Sequence, residues 1–407
     1  MAPGTESAGA LGLETLRRPE VLADPYPFYR RLQAEAPVLW DEEGGSWVVS
    51  RYADVVALLR DPRLSAARTA PRDADDMMAA AARALSRQML FLDPPDHTRL
   101  RGLINKAFTP RRVEVLRPLI QELVDDLLDR VAAAGGMDVA ADFAFPLPAI
   151  VIAGMLGVPP EDRDQLKGWS YDFGALISGT SLSEEQATQA QRGVMSMVGY
   201  FAEIADQRRA DPRDDLLSAL LAAEEQGDRL STEELLVNCL LLFAAGHGTT
   251  THLIVNSVLA LLAHPDQLAR LRADPALIVG GIDELLRFDG PVQVTGRGVT
   301  EDLEIAGTRV AAGQHVTMVL GAANRDPLQF SEPDQLDLSR RDIRHVAFGH
   351  GIHFCLGAAL ARLEGQIALG TLVGRFPTLR LDTTPEALPR MKGIVFRGVE
   401  ALPVSIA

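Results

Sequence analysis

One cysteine near the C-terminal end of the chain lies in a setting that suits a metal-bound thiolate. Cys355 is part of the run FGHGIHFCLG at residues 348–357, and alanines and leucines follow at helical spacing over 358–369. The sulfur is therefore expected near a helix N-terminus, where free N–H groups and the helix dipole favour a thiolate. The glycines would let the loop turn tightly, and Phe348 would form a flat apolar wall. Such a thiolate suits a soft metal, and haem iron accepts it.

Two other interpretations of Cys355 stay open from these residues alone. A lone cysteine in a protein interior is most often an ordinary buried residue. His345, His350, His353 and Cys355 also lie within eleven residues of one another, and imidazole and thiolate are ligands that Zn²⁺ selects. The glycine-bracketed loop favours haem over both.

Motifs elsewhere in the chain accompany the cysteine loop. They are DPY at residues 24–26, DPPDH at 93–97, ELLR at 284–287 and ANRDP at 323–327. With the order Phe-x-x-Gly-x-His-x-Cys-x-Gly around Cys355, they resemble the cytochrome P-450 monooxygenases over nearly the whole chain. The resemblance implies haem b (iron protoporphyrin IX) with Cys355 as the axial thiolate ligand. It also implies that Phe348, Gly349 and Gly357 surround that ligand.

The resemblance implies a cofactor-binding role for a second group of residues. His97, Arg101, Arg297 and His353 match residues that bind the haem propionates. Each of them alone would be interpreted as a surface charge.

A third group is expected to stabilise the fold behind the haem. Glu284 and Arg287 match the family's Glu-x-x-Arg pair, and Arg340 matches the arginine that completes a buried ion-pair network. A carboxylate between two guanidiniums satisfies charges that are costly to bury unpaired.

The hydrophobic pattern predicts a fold that is mainly α with minor β, and the resemblance implies the cytochrome P-450 fold. A 3.6-residue period predicts helices over 110–134, 185–209, 214–225, 232–263 and 278–288. Residues 38–40 and 46–50 form a predicted hairpin, and 304–305 with 315–319 are interpreted as a second sheet region. Haem is expected between the helix at 232–263 and the helix that follows Cys355.

One domain is expected over residues 1–407, because no Gly/Ser-rich or Pro-rich linker divides the chain. Its β-containing part would cover roughly 36–65 and 300–320, and its helical core roughly 93–407. Residues 66–92 and 178–184 have weaker periodicity, and the resemblance places substrate-covering segments there.

Composition and charge exclude several classes of function. With 47% hydrophobic and 23% charged residues, the chain has material for a substantial core and is not disordered. A net charge of -15 argues against a nucleic-acid binder. The first residues build no apolar signal core, and no apolar stretch reaches the ~20 residues that span a bilayer. We therefore expect a cytoplasmic protein without a membrane anchor, whose Cys239 and Cys355 form no disulfide.

The predicted helix at 232–263 carries the run AGHGTT at residues 245–250, with two glycines in three positions. Glycine inside a helix costs up to ~1 kcal/mol, so the pair needs a reason. From the helix alone, close packing and an open groove are about equally good reasons. The resemblance implies a groove for dioxygen and water at Ala245, Gly246 and Gly248, with Thr249 holding a water for proton transfer.

Gly248 departs from the family, which usually carries an acidic residue immediately before the threonine. Proton delivery then has several candidate routes: a water chain along the groove, a substrate carboxyl or hydroxyl, or a relay through His247 or His252. Weak oxygen activation is a further alternative, in which case the protein would bind haem without efficient monooxygenation, or catalyse an atypical oxidative coupling. Poor proton supply would let peroxide leave and would uncouple product formation from electron use.

The resemblance implies reductive activation of O₂ and insertion of one oxygen atom into a C–H or C=C bond. The chain carries no flavin-type fingerprint and no Fe–S cysteine set. Electrons are therefore expected from a ferredoxin and an NAD(P)H-dependent ferredoxin reductase. A basic patch for the ferredoxin would consist of Arg99, Lys106, Arg111, Arg112 and Arg362.

Substrate identity leaves little trace in the sequence. Only 5% of the residues are aromatic, and the positions that resemble substrate-contact segments are chiefly aliphatic: Leu176, Ile177, Leu242, Val292, Val294, Ile394 and Val395. A hydrophobic, medium-sized metabolite would suit such a pocket. The resemblance to bacterial enzymes with separate redox partners implies a natural-product tailoring step. Hydroxylation is the first expectation, and epoxidation or oxidative coupling are the alternatives.

Gly248→Glu tests the proton argument. If no other group supplies protons, the added carboxyl will improve coupling, measured as product formed per NADPH consumed. Unchanged or lower coupling would indicate that the protein or the substrate already supplies protons by another route.

Overall fold

The structure is a computed structural model that describes residues 11–68, 77–106, 108–177, 182–225 and 230–406. Its α-helices are α1 (Leu13–Leu16), α2 (Pro19–Ala23), α3 (Tyr26–Glu35), α4 (Tyr52–Leu58), α5 (Met77–Ser86), α6 (Asp96–Asn105), α7 (Pro110–Val115), α8 (Arg117–Ala132), α9 (Pro146–Met155), α10 (Arg163–Ile177), α11 (Glu184–Ala210), α12 (Leu216–Glu225), α13 (Thr232–Ala263), α14 (Pro265–Ala273), α15 (Ile278–Asp289), α16 (Leu320–Ala323) and α17 (Ala358–Arg375). Its strands are β1 (Val38–Asp41), β2 (Ser46–Val49), β3 (Leu64–Ser65), β4 (Gly136–Asp138), β5 (Val294–Val299), β6 (Leu303–Ile305), β7 (Thr308–Val310), β8 (His315–Val319), β9 (Arg380–Leu381) and β10 (Pro403–Ser405). The fold is mainly α with minor β, as predicted.

The predicted helices are present, with one correction. The helix predicted at 110–134 is two helices, α7 and α8. The chain turns at Leu116, and Pro118 occupies the first turn of α8, where its missing N–H group costs nothing. Of the two segments with weak periodicity, residues 69–76 and 178–181 lie outside the described residues, and the remainder of 66–92 includes α5 and a 3₁₀ turn at Met89–Phe91.

The helix α13 is the long central element. Ser231 begins it with a capping box, in which its hydroxyl accepts from the Glu234 N–H group (3.1 Å) and its own N–H group donates to the Glu234 carboxylate (2.8 Å). The helix packs against α9, α11, α15 and α17. It therefore has neighbours on several sides and can support a site at its middle. No helix in the described part of the chain has the length and hydrophobicity that crossing a membrane requires.

The main sheet corrects the prediction of a separate second sheet at 304–305 and 315–319. Its strand order is β1-β2-β8-β5-β3, so β8 joins the predicted hairpin, parallel to β2, while β6 pairs with β7 in a sheet of two strands. The reason is packing, because Val316 and Met318 on β8 are fully buried in the same cluster as Val49 on β2. A further sheet, β4-β10-β9, was not predicted, since its strands are only two or three residues long.

A buried ion-pair network joins α15 to the segment that leads into the cysteine loop. The Glu284 and Arg287 side chains are both 0% exposed, and Arg287 Nε and Nη2 donate to the two carboxylate oxygens at 2.7 and 2.8 Å. Arg340 Nε donates to the same carboxylate at 3.1 Å. Arg287 Nη1 also donates to the carbonyl oxygens of Asn324 (3.0 Å) and Pro333 (2.8 Å). These paired charges fix the chain behind the loop. That residues 1–407 form one domain stays a prediction.

Glu284→Gln will destabilise the protein strongly, because it leaves the Arg287 and Arg340 guanidiniums without the carboxylate between them. We expect a loss of about 3–5 kcal/mol in the free energy of unfolding, measured by urea titration. The matched control is Glu35→Gln, which removes an exposed carboxylate 3.2 Å from Arg31 Nε and should cost less than about 1 kcal/mol. Equal losses in the two variants would contradict a structural role for the network.

Candidate functional site

The loop that carries Cys355 is held by its own backbone. The Cys355 N–H group donates to the Phe348 carbonyl oxygen at 2.9 Å. Gly349 has a φ of 69°, and Gly357 is the residue before the first turn of α17. The Arg362 guanidinium covers the Phe348 ring, with Cζ 4.6 Å from the ring centroid. The residues expected around the metal ligand therefore lie together.

Gly351 shows why this loop requires glycine. Its φ is 70°, in the left-handed region. A Cβ at this position would also lie 2.4 Å from the Leu59 carbonyl oxygen. A side chain here would both strain the backbone and collide with the end of α4, so glycine alone fits without displacement.

The surroundings of Cys355 favour the protonated thiol, whereas the sequence predicted a thiolate. Burial raises the pKa of the Cys355 thiol, and this effect outweighs the opposing effects of the Gly357 N–H group and of the Arg101 and Arg362 charges. The helix N-terminus alone therefore does not ionise the sulfur. A metal cation bonded to the sulfur would supply the missing stabilisation, since a coordinating thiol is deprotonated outright.

Four side chains that can carry positive charge lie near one another beside this loop. The rings of His97 and His353 are 4.2 Å apart between centroids. Burial, followed by the charge of Arg297, lowers the pKa of His353 to about 3. Burial, followed by the charge of Arg101, also lowers the pKa of His97, and Asp93 opposes both shifts. Both shifts favour the uncharged form of the two rings at neutral pH. The propionate-binding role of His353 stays a prediction.

Among the described residues, no carboxylate forms an ion pair with this group, and Asp93 acts on it only as a nearby charge. His97 is 2% exposed, and neither of its ring nitrogens has a hydrogen-bond partner there. Arg101 Nη2 donates to the Phe354 carbonyl oxygen (2.6 Å), and Arg297 Nη1 donates to Thr295 Oγ1 (3.1 Å) and a backbone oxygen. A ligand with carboxylate groups would accept hydrogen bonds from these donors. Haem b brings two propionates.

The arrangement also decides against a zinc site. Across the described ranges, no three His, Cys, Asp or Glu side chains converge to hold a metal ion. His345 Nε2 lies 2.9 Å from Asp283 Oδ1, and His350 Nδ1 accepts from the Gly351 N–H group at 2.8 Å. One protein ligand suffices for an iron ion that a porphyrin already holds. The residues present therefore fit haem.

The middle of α13 has one open face. Between Leu235 and Val258 every residue is buried except Ala245, Gly246, Gly248, Thr249 and His252. Four of these five recur at helical spacing, at 245, 248, 249 and 252, and therefore share a face. Thr249 Oγ1 donates to the Ala245 carbonyl oxygen at 3.0 Å. The threonine expected to handle protons thus lies on the accessible side of an otherwise buried helix.

Comparison with known proteins identifies the family. The family model described as Cytochrome P-450 matches residues 177–400. The chain belongs to the cytochrome P-450 family. This is a family of monooxygenases that bind haem b through an axial cysteine thiolate.

Relatives resemble the chain over nearly its full length. It is 47% identical to Cytochrome P-450 107B1 of Saccharopolyspora erythraea over 368 residues, which cover 88% of this chain and 89% of the relative. It is 43% identical to the Cytochrome P-450 monooxygenase PikC of Streptomyces venezuelae, with coverage of 99% and 94%. The crystal structure of P-450BioI in complex with hexadec-9Z-enoic acid ligated acyl carrier protein matches with a TM-score of 0.89 at 41% identity, covering 95% and 99%.

The two glycines of the P-450 oxygen-activation run have different surroundings. A Cβ at Gly246 would lie 2.9 Å from Cγ1 of Ile152 on α9, whereas a Cβ at Gly248 would have no atom within 4 Å. Gly246 therefore serves close helix packing, one of the two reasons left open by the sequence. Gly248 leaves open space on the accessible face.

His247 points away from that face and is locked in place. It is 3% exposed, its Nδ1 lies 3.0 Å from the Phe243 carbonyl oxygen, and its Nε2 lies 3.0 Å from Ser170 Oγ. Burial lowers its pKa to about 4. With both ring nitrogens occupied by the fold, His247 is not placed to relay protons to Thr249.

Glu364 on α17 is a polar residue that sequence reasoning missed. It is 1% exposed, and neither carboxyl oxygen has a hydrogen-bond partner among the described residues. Burial raises its pKa well above the usual range; Thr250 acts to lower it, but its hydroxyl donates to the Gly246 carbonyl oxygen at 3.3 Å. The signal in the sequence was a glutamate at a core position of the apolar stripe formed by Leu360, Leu363 and Ile367.

The residues predicted to contact substrate do not form one cluster. Leu242 is buried with a core group that Leu176 and Ile177 pack against. Val294 is buried in another, against which Ile394 and Val395 pack, and Val292 packs against a third. The structure therefore brings them together in subsets, on α10, α13 and the strand region.

Gly246→Ala and Gly248→Ala form a matched pair that tests these surroundings. Both gain up to about 1 kcal/mol of helix propensity. Gly246→Ala must also displace Ile152, which costs about 1–3 kcal/mol. We expect Gly248→Ala to be the more stable variant by that difference, measured by urea unfolding followed by circular dichroism. A Gly246→Ala protein as stable as Gly248→Ala would contradict the packing role.

Proposed function

We propose that this P-450 is a haem-thiolate monooxygenase in which Cys355 is the iron ligand. The observation that carries the proposal is the position of Cys355 near partly buried arginines and beside a histidine, His97, whose ring nitrogens have no hydrogen-bond partner among the described residues. The other cysteine, Cys239, is 0% exposed within the core packing of α13, and burial raises its pKa to about 12. It has no access to a cofactor.

The side chains around Cys355 would bind the haem edge. His97, Arg101 and Arg297 would donate hydrogen bonds to the propionates, and the negative charge would in turn raise the pKa of His353 toward its ordinary value. Phe348 would cover the macrocycle. Haem, when bound, supplies the redox chemistry that activates O₂. Thr249 would hold water on the open face of α13 and orient it for proton transfer.

The substrate proposed is a hydrophobic, medium-sized metabolite. Leu176 and Ile177 pack against the core group that contains Leu242, three residues before Ala245 on α13, and these aliphatic side chains would exclude water. Two kinds of relative support a biosynthetic role: one is named for biotin biosynthesis and another for polyketide biosynthesis. We propose hydroxylation, or epoxidation where the substrate offers a double bond, as a natural-product tailoring step.

A ferredoxin and its NAD(P)H-dependent reductase are the proposed electron donors. Arg111 and Arg112 are exposed on α7 and would attract an acidic partner. Arg99 and Arg362 are less available than the sequence suggested, because they pair with Glu234 (2.5 Å) and Asp283 (2.8 Å). We also propose a cytoplasmic location, where a reducing environment would keep both cysteines free of disulfides.

The alternative is a haem-binding protein with poor oxygen activation, and Gly248 is the observation that favours it. Consumption of NADPH with ferredoxin, reductase and a panel of apolar probes separates the two functions. Substrate-dependent consumption with product formed supports the monooxygenase, and consumption that yields only peroxide supports the alternative.

Cys355→Ser will abolish the thiolate signature of the reduced protein. In the wild-type protein, carbon monoxide will shift the Soret band far to the red of its position in histidine-ligated haem proteins, because Cys355 would supply a thiolate ligand to the iron. The matched control, Cys239→Ala, will keep that shift. Haem without the shift in the wild-type protein, or a shift that survives Cys355→Ser, would contradict Cys355 as the ligand.

A further inference from the structure

His252 is the only titratable residue on the open face of α13, which is formed by residues 245, 248, 249 and 252. It lies one helical turn after Gly248 and Thr249, so Cβ atoms on this face are about 5–6 Å apart. Its side chain is partly accessible, yet its Nδ1 atom is fully buried and has no hydrogen-bond partner among the described residues. An enclosed ring nitrogen without a partner needs an explanation.

The backbone at Gly398 packs directly against the His252 ring. A Cβ at Gly398 would lie 2.4 Å from His252 Nδ1. On the next turn of α13, Asn256 Nδ2 donates to the carbonyl oxygens of Asp289 and Arg397, both at 3.1 Å. The C-terminal segment is therefore tied to α13, and the glycine at 398 leaves the imidazole its room.

The open space at Gly248 lies between this imidazole and the rest of the accessible face. Because a Cβ at Gly248 would meet nothing within 4 Å, water has room beside Thr249. Neutral imidazole has one nitrogen that can accept a proton. Because Nδ1 of His252 is enclosed and Nε2 is not, Nε2 is the nitrogen that can exchange protons with this water.

We propose that His252 relays protons to water held at Thr249, through the space that Gly248 leaves open. The proposal rests on the proposed monooxygenase function. Each turnover converts R–H, O₂, two protons and two electrons into R–OH and H₂O, with the electrons supplied by the donor proteins. For each proton, the accessible Nε2 of His252 accepts one from solvent water and releases it from the same nitrogen to the water at Thr249, so the ring is unchanged overall.

The surroundings keep His252 uncharged at neutral pH. Burial, followed by the nearby His247, lowers its pKa to about 4. The segment packed against it carries Arg397, whose Nε is 2.5 Å from Asp289 Oδ1, so that charge is already paired. The relay therefore works in its neutral form, and its capacity is lost only as the pH falls through the pKa of the folded state.

The test uses the holoenzyme with ferredoxin, reductase and tetradecanoic acid as an apolar probe. It compares wild type with His252→Asn, Gly248→Glu and the double variant, and measures peroxide released per NADPH, a ratio that needs no identified substrate. We expect His252→Asn to raise the peroxide released per NADPH by about tenfold. Gly248→Glu in the same chain should restore the wild-type ratio, because its carboxyl group projects into the same space.

Two further variants separate a relay from a structural effect. Glu364→Gln removes an uncharged titratable group that lies near Thr250 and should leave the ratio unchanged. An unchanged ratio in His252→Asn, a rise that Gly248→Glu does not reverse, or a rise in Glu364→Gln alone would each overturn the proposal. A wild-type protein without the red-shifted carbon monoxide band would instead overturn the proposed function.

A second readout does not depend on turnover. In the reduced, CO-bound protein labelled with ¹³C-histidine, the resonance missing from His252→Asn identifies this ring. We expect it to stay neutral down to about pH 5, well below the ordinary titration of histidine. Titration near pH 6.5 would indicate that the ring is exposed to bulk solvent, and it would contradict the proposal that His252 relays protons from a partly buried position.

Discussion

His97, Arg101, Arg297 and His353 lie together beside Cys355, and burial of their positive charge costs free energy that the nearby Asp93 carboxylate offsets only in part. The two imidazoles respond by staying neutral, while the two guanidiniums stay charged and donate to backbone and hydroxyl oxygens. Cys355 has the opposite requirement: burial disfavours its negatively charged thiolate, which a nearby positive charge would stabilise. A ligand with a cationic centre and an anionic edge satisfies both demands at once. The loop, the two histidines and the arginines are therefore best understood as parts of a single binding site.

Ion pairs formed by residues on α15 hold that site in place. Glu284 and Arg287 on α15 are fully buried, yet each is satisfied by the other and by neighbouring groups. Asp283, the preceding residue, binds both His345 (2.9 Å) and Arg362 (2.8 Å). One helix thus anchors the chain before the cysteine loop and the helix after it. The paired charges on α15 therefore stabilise the fold, whereas the four side chains beside Cys355, which have no ion-pair partner among the described residues, are available to bind a ligand.

Local signals predicted the elements that depend on local chemistry. The helix α13 begins and ends where expected, because a capping box starts it and His264 with Pro265 stops it. The sheet assignment failed because Ser46 pairs with His315, and nothing in a local pattern reveals a partner so distant in sequence. The cysteine loop was recognisable from its motif. The substrate positions were not resolved, since their grouping depends on how separate elements pack.

Besides Cys239, three titratable groups on or against α13 are kept uncharged, and their positions assign them different roles. His247 has both ring nitrogens bonded within the fold, so it is a structural residue. Glu364 lacks partners but is sealed between α17 and α13, where protons cannot be replenished readily from the open face. His252 also has an unsatisfied nitrogen, yet its side chain remains partly accessible on the face that carries Thr249. Burial sets the charge of all three, whereas only access to the open space allows repeated proton exchange. Position, more than residue type, therefore singles out His252.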